Sequence, residues 1–128
     1  MKIYFDNGKK ISRKQLEKLY NDVGWYAYTD DLEGLQQALE HSLEVISVWN
    51  EEELVGLIRV VGDGLTIIYI QDILVLNSYQ NQGIATQLIQ QVLNKYNNVR
   101  QKVLMTEEAP DVRHFYEKMV SNLAIRAP

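Results

Sequence analysis

The chain has 128 residues, 46% of them hydrophobic and 23% charged, a formal net charge of −4 and no cysteine. That length and balance suit one globular domain. They exclude disulfides, thiolate zinc sites and cysteine nucleophiles, and a net acidic chain without a basic stripe argues against nucleic acid as a partner. No apolar run reaches the roughly 18 residues of a membrane span. The opening "MKIYFDNGKK" has no apolar core of a secretory signal, so a cytoplasmic protein off the membrane is expected.

"KIYF" (Lys2 to Phe5) reads as a short strand closed by the turn "DNG". "SRKQLEKLYNDVG" follows with a capping box, in which Ser12 accepts from the N–H of Gln15 and the Gln15 side chain reaches back. Leu16, Leu19, Tyr20 and Val23 form a helical stripe that Gly24 ends. "DDLEGLQQALEHS" is a second helix, capped by Asp30 or Asp31, with Leu32, Leu35, Ala38 and Leu39 on one face. "LEVISVW" and "ELVGLIRVV" have strand composition and flank the charged turn "NEEE". Gly62 to Gly64 makes a hairpin turn into "LTIIYIQDILVL" (Leu65 to Leu76). A strand that long should bend or bulge. Being apolar on both faces, it should be central and covered on both sides. An amphipathic helix from about Gln82 to Tyr96 comes next, then the strand "QKVLMT" and a helix "PDVRHFYEKMV" with Pro110 in its first turn. The order is β-α-α-β-β-β-α-β-α, with a weaker last strand near Leu123 to Arg126. It predicts an α/β fold with a mixed sheet flanked by helices on both faces.

The chemistry concentrates at Gln80-Asn81-Gln82-Gly83-Ile84-Ala85, between a buried strand and a helix. A helix start leaves backbone N–H groups without partners and carries partial positive charge, so it can hold a phosphate or pyrophosphate. Gly83 and Ala85 would let such a ligand come close. The structural alternative is that Gly83 permits a tight turn and Ala85 packs on the sheet. No G-x-G-x-x-G or G-x-x-x-x-G-K-[ST] pattern is present.

Gln80 to Ala85 matches Q/R-x-x-G-x-G/A, and "HFYEKM" lies further on. On these residues the chain resembles the GCN5-related N-acetyltransferases (GNAT), by element order over about residues 1–119. "VGWYAYTDDLEGLQQALEHS" is also similar to a bacterial small-amine subgroup with plant relatives that acetylate arylamines. The resemblance implies acetyl-CoA as cosubstrate and acetyl transfer to a small-molecule amine. Backbone N–H groups of Gln82, Gly83, Ile84, Ala85 and Thr86 would hold the pyrophosphate, with Gln80 in the same motif. Leu74, Val75 and Leu76 would hydrogen-bond the pantetheine arm as an added strand would. Tyr116 would protonate the departing thiolate. Where relatives continue with Gly-Phe, this chain has Val120 and Ser121, so shortened C-terminal strands are expected, which a second subunit in a homodimer could complete.

Asp72, an acid in an apolar strand, either acts as a general base or holds an ordered water, or else points to solvent or binds a nearby backbone. Glu107 and Glu108 fit solvated loop charges better. Trp25, Tyr26 and Tyr28 form either an aromatic wall for an amine or ordinary packing. His41 fits a helix cap and His114 a helix surface, and no metal-ligand spacing occurs. Without cysteine, transfer would be direct, in a ternary complex. The rival reading is a non-catalytic CoA-binding regulatory or structural module, and a further one is a nucleotide-binding domain without CoA specificity.

Overall fold

The computed structural model describes residues 2–105 and 123–126. In chain order, strand β1 is Ile3–Asp6, and helices α1, α2 and α3 are Arg13–Asp22, Tyr26–Thr29 and Leu32–Glu40. Strands β2, β3 and β4 are Glu44–Asn50, Glu53–Gly62 and Ile67–Val75. A 3-10 turn at Asn77–Tyr79 leads to α4, Ile84–Lys95, followed by β5, Gln101–Met105, and β6, Leu123–Arg126. The sheet order is β1-β2-β3-β4-β5-β6. Neighbours from β1 to β4 are antiparallel, while β4–β5 and β5–β6 are parallel. This is the mixed sheet expected, and among the described residues the C-terminal region supplies the four-residue strand β6, beside β5.

The register shows how the layers divide. Paired residues on adjacent strands share a face, and successive residues alternate. Val45, Arg59 and Asp72 are partners across β2, β3 and β4, and Asp72 meets Tyr20 of α1. Glu44 and Val60 are partners one position along, and Glu44 meets Lys95 and Tyr96 at the end of α4. Helices α1 and α4 therefore cover opposite faces. Leu16, Leu19 and Tyr20 of α1 and Leu88, Ile89 and Val92 of α4 are fully buried, as are Leu57, Ile58, Val60, Ile68 and Ile70 between them.

The long apolar run becomes a nine-residue strand, central as expected, between β3 and β5. It does bulge: Arg59 pairs with Asp72 but Val60 with Ile70, so Gln71 is the extra residue. Two local details differ from expectation. Ser12 Oγ accepts from Gln15 N–H at 3.3 Å, but the Gln15 side chain does not close the box. Its Nε2 donates to Glu52 O at 3.0 Å and its Oε1 accepts from Leu54 N–H at 3.3 Å, tying α1 to the β2–β3 turn. The one-turn helix α2 is too short to show a period in sequence. The helix expected over "PDVRHFYEKMV" lies outside the described residues.

Candidate functional site

Strands β4 and β5 pair from Ile67↔Gln101 to Ile70↔Leu104. Beyond the Gln71 bulge, β4 runs on to Val75, and among the described residues nothing pairs with that stretch on the β5 side. Leu76 N–H turns toward β3, donating to Val55 O at 2.8 Å. Peptide groups alternate along a strand, so Leu74 also turns toward β3, and Ile73 and Val75 turn toward the open side. Of Leu74, Val75 and Leu76, only Val75 presents its main chain there, joined by Ile73, which the sequence reading left out. Val75 O is already engaged, accepting from Gln80 Nε2 at 3.0 Å. An extended ligand arm laid along this edge would meet the N–H and C=O of Ile73 and the N–H of Val75.

The strand exits through a braced loop. Gln80 Nε2 also donates to Asn77 Oδ1 at 3.1 Å, so this side chain closes the loop on itself. Asn81 and Gly83 then take left-handed backbone, with φ of 64° and 84°. Gly83 is the N-cap of α4, and the first intrahelical bond is Gln87 N–H to Gly83 O at 3.0 Å. No side chain caps this helix, so the N–H groups of Ile84, Ala85 and Thr86 have no acceptor among the described residues. A Cβ on Gly83 would find only Gln87 Nε2, at 3.9 Å. The glycine is required by its φ, and among the described residues nothing else comes within 4 Å of that position. Ile84 is buried, Ala85 and Thr86 are half-buried, and Gln80, Gln82 and Gly83 are exposed.

On the α1 face, beside the open stretch of β4, Asp72 is 2% exposed. Its Oδ2 accepts from Arg59 Nε at 2.6 Å and from the Tyr20 hydroxyl at 3.0 Å, and its Oδ1 accepts from the Tyr28 hydroxyl at 2.9 Å. The charge of this acid is thus balanced by Arg59, itself 8% exposed. Burial raises the pKa of Tyr20 well above the ordinary phenol value, and the Asp72 charge adds to it. Tyr28 is raised by the same causes in the same order. Both phenols are neutral donors at ordinary pH.

Tyr20, Trp25 and Tyr28 form one aromatic cluster, with ring centroids 5.2 Å apart for Tyr20–Tyr28 and 6.1 Å apart for the other two pairs. Trp25 and Tyr28 pack partly into the core, whereas Tyr26 is 61% exposed. His41 ends α3 with Nδ1 2.8 Å from Gln37 O, a capping position. Tyr116, Glu107, Glu108 and His114 lie outside the described residues. Among the described residues no cluster of three His, Asp or Glu side chains could hold a metal ion, and no helix is long and apolar enough to cross a membrane.

Sequence reading missed Arg59 and Tyr20. The signal was available: "ELVGLIRVV" carries one basic residue and "LTIIYIQDILVL" one acidic residue. The two runs are joined by a hairpin, and lone opposite charges in paired apolar strands need each other.

Residues 16–119 match the acetyltransferase (GNAT) domain family. A relative described as an uncharacterized N-acetyltransferase ycf52, from Porphyra purpurea, is 27% identical over 121 residues, spanning 91% of this chain and 68% of its own. Among solved structures, a GNAT family acetyltransferase from Streptococcus pneumoniae TIGR4 superposes with a TM-score of 0.80 at 36% identity, over 92% of this chain and 86% of that one. The structure of AAC(6')-Iy in complex with the bisubstrate analog CoA-S-monomethyl-acetylneamine shares the fold at a TM-score of 0.65 and 17% identity, over 92% and 88% of the two chains.

Proposed function

The chain belongs to the GNAT acetyltransferase family and is an N-acetyltransferase, and we propose that it moves the acetyl group of acetyl-CoA directly to the amine of a small molecule in a ternary complex. The observation that carries this reading is the pairing of two backbone surfaces that have no partner among the described residues. One is the open edge of β4 at Ile73 and Val75. The other is the uncapped first turn of α4 at Ile84 to Thr86. A thioester arm ending in a pyrophosphate matches both: amides for the strand edge, anionic charge for the helix end. The neighbouring structure in complex with a CoA-linked bisubstrate analog supports the same choice of ligand class.

The chemistry follows from this placement. A primary amine of pKa about 10.4 is only about 0.1% neutral near pH 7.4, so a proton must leave before or during attack. The amine nitrogen then attacks the thioester carbonyl carbon. The oxygen gains negative charge, which an N–H on the open edge of β4, from Ile73 or Val75, can stabilise. The C–S bond breaks, the new amide remains, and the sulfur takes a proton. Tyr116 is proposed as that proton donor. Asp72 is proposed as the charge anchor of the acceptor side: three donors occupy its oxygens, the counter-ion Arg59 among them, and it holds the Tyr28 hydroxyl in place. Trp25 and Tyr28 then furnish the aromatic wall, with Tyr26 outside it.

The experiment is a panel of small amines incubated with acetyl-CoA and the protein, read as release of free thiol. Amine-dependent release is expected. Tight CoA binding with no release for any amine would replace this reading with the non-catalytic CoA-binding module.

A further inference from the structure

The 3-10 turn Asn77–Tyr79 joins the two surfaces of the proposed cradle, and side chains outside the acetyl-transfer chemistry hold it from two directions. Asp22, the last residue of α1, accepts the Asn77 main-chain N–H on Oδ2 at 2.7 Å, and its own main-chain oxygen accepts Asn77 Nδ2 at 2.7 Å. At the other end of the turn, the Tyr79 hydroxyl donates to Glu53 Oε1 at 3.0 Å and accepts from Asn50 Nδ2 at 2.8 Å. Glu53 is in turn paired with Lys18 Nζ at 2.5 Å. Both struts return to α1, at Lys18 and Asp22, which stand one helical turn apart.

Asp22 is poorly placed for the helix that carries it. It closes the last turn of α1, which contains no basic residue, so its charge faces the negative end of the helix dipole. It is also exposed, so no packing in the core depends on it. What its carboxylate gains is the attraction of Lys18 one turn back and the N–H of Asn77.

We propose that Asp22 is a positioning residue for the coenzyme: acting through Asn77, it fixes the spacing between the open edge of β4 and the first turn of α4. The inference rests on the acetyl-CoA reading given above. A ligand that bridges both surfaces feels that spacing, and one that uses only the strand edge does not. An error of about 1 Å in such a geometry can cost up to about 100-fold.

The test compares acetyl-CoA with S-acetylpantetheine, which has the thioester and the arm but no pyrophosphate, by calorimetric titration of the wild type and Asp22→Ala. The acetyl-CoA dissociation constant should rise about tenfold, equivalent to about 1.4 kcal/mol. That of S-acetylpantetheine should stay within about twofold, and the melting temperature within about 3 °C, as for an exposed site. Asp22→Asn, which keeps an acceptor oxygen for Asn77, should recover most of the loss. Equal weakening of both ligands would mean a merely structural role and overturn the proposal. Tighter acetyl-CoA binding would mean that Asp22 acts only as a like charge, and would overturn it too. Failure of the wild type to bind acetyl-CoA would instead remove the reading on which the proposal rests, and that is seen without any variant.

Discussion

Asp72→Asn keeps the shape of the side chain and removes its charge. The Arg59 guanidinium, 8% exposed, then has no counter-ion at the position where Asp72 Oδ2 lay 2.6 Å from Nε. Breaking one side of a buried pair costs about 3–5 kcal/mol. The fully buried Tyr20 hydroxyl and the Tyr28 hydroxyl must also compete for one remaining amide oxygen. A domain of this size has about 5–15 kcal/mol of stability in total, so this single change should consume a large share of it. Urea unfolding followed by circular dichroism measures the loss. A second variant, Arg59→Met with Asp72→Leu and Tyr20→Phe, removes both charges and the phenol that would otherwise be stranded. It should recover most of the stability, because apolar replacement of a buried pair is often neutral or better. A loss below about 1 kcal/mol for Asp72→Asn, or a triple variant as unstable as the single one, would refute the anchor. The same variant separates anchor from base. If Asp72 takes the proton from the amine, Asp72→Asn should fold normally and lose about 10²–10⁴-fold in rate.

Tyr116→Phe should leave acetyl-CoA binding unchanged and lower turnover by about 10²–10⁴-fold; unchanged turnover would remove Tyr116 as the proton donor. Tyr20 and Tyr28 titrate above the ordinary phenol value, through burial first and Asp72 second, and burial with Glu44 pushes Tyr96 up to about 12. Raised folded values mean stability that is complete below about pH 10 and lost as pH rises past it. The urea midpoint should therefore fall between about pH 9 and about pH 11, and fall less in a Tyr20→Phe/Tyr28→Phe variant; parallel curves would contradict this. The Asp63 carboxylate lies below the usual carboxylate range, because the N–H of Leu65, the Thr66 hydroxyl and the N–H groups of Ile67 and Thr66 all donate to it. A depressed folded value means stability present above about pH 4 and lost as pH falls, so Asp63→Asn should flatten the acid side of the stability profile.

The sheet was legible because each strand carried its own apolar signal and each hairpin its turn residues. The bulge in β4 was legible from length alone, since few strands stay regular over so many residues. The turn at Gly83 was legible in composition, and its role in a tight strand-to-helix turn is the one its left-handed φ requires. What the sequence did not reveal was direction. Leu74, Val75 and Leu76 look alike in the chain, and only the register of β3 against β4 turns Val75 and Ile73 to the open side. Charge partners were hidden for the same reason. Asp72 seemed an isolated acid until Arg59 stood opposite it across the hairpin, and Asp22 an ordinary surface charge until Asn77 met it from 55 residues away.

The most direct measurement is calorimetric titration with acetyl-CoA of the wild-type chain and of Gly83→Trp, with circular dichroism to check that both are folded. The wild type should bind in the micromolar range and the folded variant not at all, because the indole would fill the space beside the first turn of α4. Equal binding by both would show that the coenzyme does not sit at this helix end.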